Sequence, residues 1–75
     1  MTSKANRVGC VAATVRGLRA LCDALGMVID RYADTAPAFA EEAKQRWTLE
    51  RVRLYKAEQQ YAELIGVSVE EVRAC

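Results

Sequence analysis

The chain has 75 residues, of which 52% are hydrophobic, with one proline and four glycines. A chain of this length buries only about 60% of the surface that its unfolded form exposes, so we expect one small domain over residues 1–75. Eleven basic residues against ten acidic ones give a net charge of +1. That balance disfavours binding to nucleic acid or to an anionic membrane, because both need a positive field.

The sequence contains no histidine, which removes the commonest general base and metal ligand. Its three cysteines, Cys10, Cys22 and Cys75, are odd in number and have no C-x-x-C spacing. This pattern predicts neither a disulfide framework nor a zinc site. We therefore expect a non-enzymatic protein without cofactor or metal, in the cytoplasm, where thiols stay reduced.

The N-terminal region combines a basic start with an apolar stretch, as a signal peptide does. Lys4 and Arg7 precede the apolar residues 8–15, but Arg16 and Arg19 then interrupt the run. The stretch is too short for export, so we expect no membrane partner.

The first predicted element is a long helix over residues 8–32. Its apolar residues alternate in steps of three and four over about seven helical turns, which indicates a helix with one packed stripe. This seam consists of Val8, Val11, Val15, Leu18, Cys22, Leu25, Ile29 and Tyr32.

A second stripe, mostly of small residues, lies on another side of the same helix. A helix that is apolar most of the way round needs more cover than one neighbouring helix supplies. Small residues let helix backbones approach closely, and the self-complementary partner is a second copy of the chain. We predict a homodimer; the alternative is that the rest of the chain covers this stripe. The predicted dimer interface is Cys10, Ala13, Gly17, Ala20, Leu21, Ala24, Met27 and Val28.

The second predicted helix begins at Pro37, because proline fits the first turn of a helix but not its interior. The short connection predicts that the two helices form an antiparallel hairpin. We expect the aromatic residues to anchor the core, although an exposed Trp47 would be a candidate binding hot spot. The apolar face consists of Phe39, Ala43, Trp47, Leu54, Ala57, Tyr61, Leu64 and Ile65.

Glu50 interrupts this apolar face between Trp47 and Leu54. A buried carboxylate is costly unless a partner neutralises it. Arg46 and Arg53 stand four and three residues away, so either can reach it on a helix. The pattern favours a structural ion pair over a catalytic acid.

The second helix is expected to end near Gly66, before a short third helix over residues 69–74. Ser68 and Glu71 have the S-x-x-E spacing of a capping box, in which both side chains bind free backbone amides at a helix start. The third helix is therefore expected to begin immediately after Ser68.

Residues 60–73 resemble the helix-turn-helix of transcription regulators, with Ala62, Gly66 and Val72 at its small, turn and buried positions. The resemblance implies that the helix after the turn reads bases in the major groove. Here only residues 69–75 follow the turn, and Glu70 and Glu71 would face phosphate. A small DNA-binding regulator that uses residues 60–75 is therefore the alternative function.

In size and layout the whole chain resembles small phage-encoded helical host-takeover proteins, of the quorum-sensing anti-activator and anti-CRISPR types. The likeness consists of a short hairpin rich in alanine and arginine, without catalytic residues. It implies inhibition by occlusion, in which a rigid dimer covers the working surface of a bacterial regulator or defence complex. A phage-encoded protein would act in the host cytoplasm.

The second helix also carries apolar residues away from its core face. Leu49, Val52 and Tyr55 recur at steps of three, with Arg53 and Lys56 beside them. Aliphatic, aromatic and basic groups together are typical of a protein interface, although scattered exposed apolar residues are normal on any protein. The sequence thus predicts an all-α hairpin with a short third helix. Its expected function is to bind, and inhibit or modulate, a bacterial host protein.

Overall fold

The computed structural model describes residues 3–74 and shows three helices and no strand among them. Helix α1 spans Lys4–Tyr32, α2 spans Pro37–Ile65 and α3 spans Val69–Ala74. The two long helices pack together, and α3 packs on α2. The predicted all-α hairpin with a short third helix is confirmed.

Local backbone chemistry sets the ends of α1 and the start of α2. The Ser3 hydroxyl accepts a hydrogen bond from the Asn6 amide at 3.2 Å, so α1 begins four residues before the predicted position. After α1 ends, the Ala36 amide donates to the Tyr32 carbonyl at 2.9 Å. Helix α2 then starts at Pro37, as the sequence predicted.

The turn between α2 and α3 depends on Gly66, which has a φ of 75°. Residues other than glycine are strained in this left-handed region. The amides of Gly66 and Val67 both donate to the Ala62 carbonyl, at 2.9 and 3.1 Å. The Ser68 hydroxyl accepts from the Glu71 amide at 3.2 Å, which confirms the serine half of the predicted capping box.

The core lies where the seam of α1 meets α2. Val15, Cys22, Leu54 and Ala57 form its buried centre. Four of the eight buried apolar residues in the described part of the chain are alanines, and no large side chain there is fully buried. The core is therefore thin. Four partly buried residues pack against its centre: Val11, Leu18, Trp47 and Tyr61.

Two residues of the predicted α2 face do not reach this core. Phe39 is 51% exposed and packs edge-on against Tyr32, with ring centroids 5.3 Å apart. Ile65, the last residue of α2, is also exposed. The prediction that aromatic residues anchor the core is therefore wrong for Phe39, because it sits at the closed end of the hairpin beside the end of α1.

The molecule is a single layer of helices. Its principal extents are 48 × 26 × 15 Å, and its radius of gyration is 15.0 Å. A compact domain of this length has a radius of gyration of about 11 Å. Because no second layer among residues 3–74 covers the hairpin, the outward sides of both long helices lie on the surface.

Candidate binding surfaces

The thiols and carboxylates are the candidate metal ligands and nucleophiles among the described residues. No group of three or more Cys, Asp or Glu side chains within residues 3–74 is placed to hold a metal ion. Burial raises the pKa of the Cys22 thiol, and Glu50 and Asp23 add to this, while the positive charge of Arg51 opposes it. A thiol with a raised pKa stays protonated and is a poor nucleophile. Cys22 is a packed core side chain.

The predicted dimer residues lie together on the side of α1 that faces away from α2. Seven of the eight are exposed and Val28 is partly exposed. Met27 is 72% exposed, and a Cβ added to Gly17 would meet no atom within 4 Å. We call this surface the outer face of α1; its residues are Cys10, Ala13, Gly17, Ala20, Leu21, Ala24, Met27 and Val28.

The predicted partner-binding residues are all exposed on α2. Leu49 is 63%, Val52 50% and Tyr55 49% exposed. Arg53 on one side forms an ion pair with Glu50, while the Arg73 guanidinium lies 4.8 Å from the centre of the Tyr55 ring. The surface therefore combines large apolar side chains with arginines whose positions are fixed by ion pairs. We call it the α2 patch; its residues are Leu49, Val52, Arg53, Tyr55 and Lys56.

Glu50 is only 2% exposed, and two arginines of its own helix neutralise it. Arg46 Nε donates to Glu50 Oε1 at 3.0 Å, and Arg53 Nη1 donates to the same oxygen at 3.2 Å. The predicted ion pair is confirmed, with both candidate arginines taking part.

A second buried carboxylate, Glu58, escaped the sequence analysis. It is 6% exposed, and its two oxygens accept from Arg19 Nη2 at 3.1 Å and Arg73 Nε at 3.3 Å. Arg19 Nη2 also donates to the Val72 carbonyl at 2.9 Å. This Glu58 cluster ties all three helices together. Its only sequence signal is the position of Glu58 beside the apolar face, four residues after Leu54.

An open groove of about 390 Å³ lies where the three helices meet. Arg16, Arg19 and Glu71 supply its polar groups, and the remaining lining is apolar. The groove can accept an apolar side chain of a partner. Its apolar lining consists of Ala12, Val15, Tyr61, Ile65, Val67 and Val72.

The segment that resembles a helix-turn-helix ends in a helix of six residues. The side chain of Val72 in this helix is buried. The guanidinium of Arg73 contacts Glu58 and lies over the Tyr55 ring. Glu70 and Glu71 occupy its first turn and are exposed. The start of α3, which would enter a DNA groove, therefore presents negative charge.

None of the helices described for residues 3–74 combines the length and apolar character needed to cross a membrane. Comparisons with protein-family models, curated protein sequences and solved structures returned no match to this chain.

Proposed function

We propose that this protein is a small non-enzymatic homodimer that binds a bacterial host protein and inhibits or modulates it by covering its working surface. The observation that carries the proposal is the α2 patch, where Leu49, Val52 and Tyr55 are each about half exposed or more. Aromatic and arginine side chains dominate binding energy at protein interfaces. The patch places both beside aliphatic groups on one helix.

The patch is also preorganised for binding. Arg53 is held by Glu50, and Arg73 is held by Glu58 while it covers one side of Tyr55. Side chains that are already fixed lose less conformational freedom when a partner binds, which favours affinity. A homodimer through α1 would present the patch twice and allow bivalent binding.

The class of target follows from the resemblance of the alanine-rich and arginine-rich hairpin to phage host-takeover proteins. Such proteins act by occlusion, which needs a rigid surface and no catalytic group. The proposed targets are accordingly a transcription regulator or a defence complex, met in the host cytoplasm.

The proposal is tested with two matched variants, Leu49→Asp in the α2 patch and Gln60→Asp farther along the same helix. Both positions are exposed, and both changes add one negative charge. Tagged protein is used to capture host proteins from a bacterial lysate, which mass spectrometry identifies. We expect Gln60→Asp to capture the same target as the wild type. Leu49→Asp should capture at least tenfold less, about 1.4 kcal/mol of binding free energy.

Circular dichroism and sedimentation of both variants verify that fold and association are unchanged. Equal capture by folded Leu49→Asp would remove the α2 patch from the proposal. The groove between the three helices would then be the next surface to substitute, beginning with Ile65 and Val67, which are both exposed.

A DNA-binding regulator that uses residues 60–75 is the competing function. Exposed Glu70 and Glu71 at the start of α3 argue against it, because carboxylates repel phosphate. A salt titration of binding to duplex DNA separates the two functions. A DNA reader loses about a thousandfold in affinity between roughly 50 and 200 mM salt, whereas we expect only weak binding throughout.

A further inference from the structure

We infer that the outer face of α1 binds the same face of a second copy of this chain, with the two α1 helices antiparallel. The two-fold axis passes between Gly17 and Ala20, so that Ala13 of one copy faces the partner's Ala24. This inference rests on the proposed homodimer and gives it an orientation.

The accessible surface of the hairpin matches what such an interface needs. The chain exposes 5532 Å², whereas a folded monomer of 8.3 kDa exposes about 4,600 Å². The excess of about 950 Å² is close to the roughly 800 Å² that each partner contributes to a standard interface. From Cys10 to Val28 the residues of the outer face of α1 carry no charge, and Arg31 follows one turn beyond Met27; covering this stretch therefore removes no charged group of the face itself from water.

The residues of the outer face have a two-fold pattern along the helix. The pairs Cys10 with Met27, Ala13 with Ala24 and Gly17 with Ala20 all share a midpoint between residues 18 and 19. An antiparallel copy centred there sets each of these six residues opposite its counterpart, whereas Leu21 and Val28 lie opposite the partner's Arg16 and the partner's Gly9. The smallest pair lies at the centre, where two helices cross most closely, at about 8 Å between axes.

Gly17 gives a second reason to place the crossing at this point. A Cβ at Gly17 would meet nothing within 4 Å inside the chain, so the hairpin itself does not need a glycine here. Glycine is less favourable than alanine in the interior of a helix. Gly9 and Gly26 of α1 are equally open; of the three, Gly17 lies at the centre of the outer face, where a second helix can approach its backbone most closely.

The charged residues beside the outer face favour an antiparallel orientation of the two α1 helices. Arg16 and Asp23 lie two turns apart on one flank of α1 and are exposed. Neither makes an ion pair within residues 3–74. Like flanks face each other in an antiparallel helix pair, so Arg16 of each copy lies beside the partner's Asp23 and two reciprocal ion pairs form.

A parallel pair leaves these charges without partners. The flank with Arg16 and Asp23 would then face the opposite flank, which carries Thr14, Leu21 and Val28. The charged residue in line with them is Arg7, which has the same sign as Arg16 and lies about 24 Å of helix before Asp23, so it pairs with neither. A parallel pair would also set the two copies of Arg31 opposite each other, whereas the antiparallel pair sets Arg31 opposite the partner's Asn6.

Disulfide trapping tests the orientation. Ala13→Cys and Ala24→Cys are made separately in a background with Cys10→Ser and Cys75→Ser; Cys22 stays because it is buried. A disulfide needs Cα atoms within about 7 Å. After mild oxidation of an equal mixture, we expect the mixed disulfide to exceed either homodisulfide at least tenfold by mass spectrometry.

Charge reversal tests the flanking pairs independently. Arg16→Glu and Asp23→Arg each set like charges side by side in the antiparallel pair. Each is expected to raise the dimer dissociation constant about threefold to tenfold, a size typical of exposed ion pairs. The double variant restores the pairs with their signs exchanged, and its dissociation constant should return to within about threefold of the wild type.

Three results would overturn the inference: homodisulfides in place of the mixed product, a dimer that neither variant traps, or a monomer in sedimentation. A double reversal no better than the single variants would also contradict it. These failures are separable from failure of the proposed function. A monomer that still captures its target through Leu49 would overturn this inference and leave the binding function standing.

Discussion

Glu50 and Glu58 lie eight residues apart on α2, and both are almost completely buried. Each is bound by two arginines at distances between 3.0 and 3.3 Å. Both arginines of Glu50 come from α2 itself, whereas those of Glu58 come from α1 and α3. Two carboxylates with the same immediate chemistry therefore have different structural roles: Glu50 is satisfied within its helix, and Glu58 joins three helices.

The difference determines how each carboxylate contributes to the stability of the helix packing. A buried carboxylate that loses its partner destabilises a protein strongly, because an uncompensated charge remains away from water. The arginines of Glu50 lie on the same helix, so its ion pairs persist even when α2 is not packed against α1 and α3. Glu58 keeps its partners only while α1 and α3 are docked, so it makes the packing of the three helices mutually dependent.

The largest expected effect is that of Glu58→Ala. This change removes the carboxylate that Arg19 of α1 and Arg73 of α3 both contact. Arg19 and Arg73 keep 32% and 43% of their side chains exposed, so water hydrates part of each charge. We expect the free energy of unfolding to fall by about 2 kcal/mol, measured by urea denaturation at one fixed protein concentration. A loss below about 1 kcal/mol would show that the Glu58 cluster does not hold the helices together.

Glu50→Ala is the matched control on the same helix and should cost less. Arg46 and Arg53 are 61% and 70% exposed, so water hydrates them once the carboxylate is gone. We expect a loss of about 1 kcal/mol in the same urea experiment. If Glu50→Ala and Glu58→Ala lower the free energy of unfolding equally, pairing between helices does not make Glu58 more important than Glu50.

The smallest effect is expected for Arg73→Met, which breaks one ion pair but keeps an apolar stem against Tyr55. Glu58 retains Arg19, and the Arg19 bond to the Val72 carbonyl remains. We expect a loss of about 0.5–1 kcal/mol, confined to α3. Amide hydrogen exchange should quicken for residues 69–74 and stay unchanged in the centre of α2; quickening throughout α2 would contradict local release.

Features that depend on residues within about one helical turn could be predicted from the sequence. The seam of α1, the start of α2 at Pro37, the turn at Gly66 and the arginine pairs of Glu50 all follow from spacing along the chain. Helical periodicity alone brings such residues together.

The tertiary structure decided the rest, because contacts between distant residues depend on how the helices are rotated and aligned against each other. Arg19 stands 39 residues from Glu58 and Arg73 stands 15 residues away, so no local pattern linked them. The same alignment leaves Phe39 at the exposed end of the hairpin and brings Arg73 over Tyr55. Sequence spacing located the seam of α1 and most of the core face of α2; helix packing decided which charged groups of different helices met.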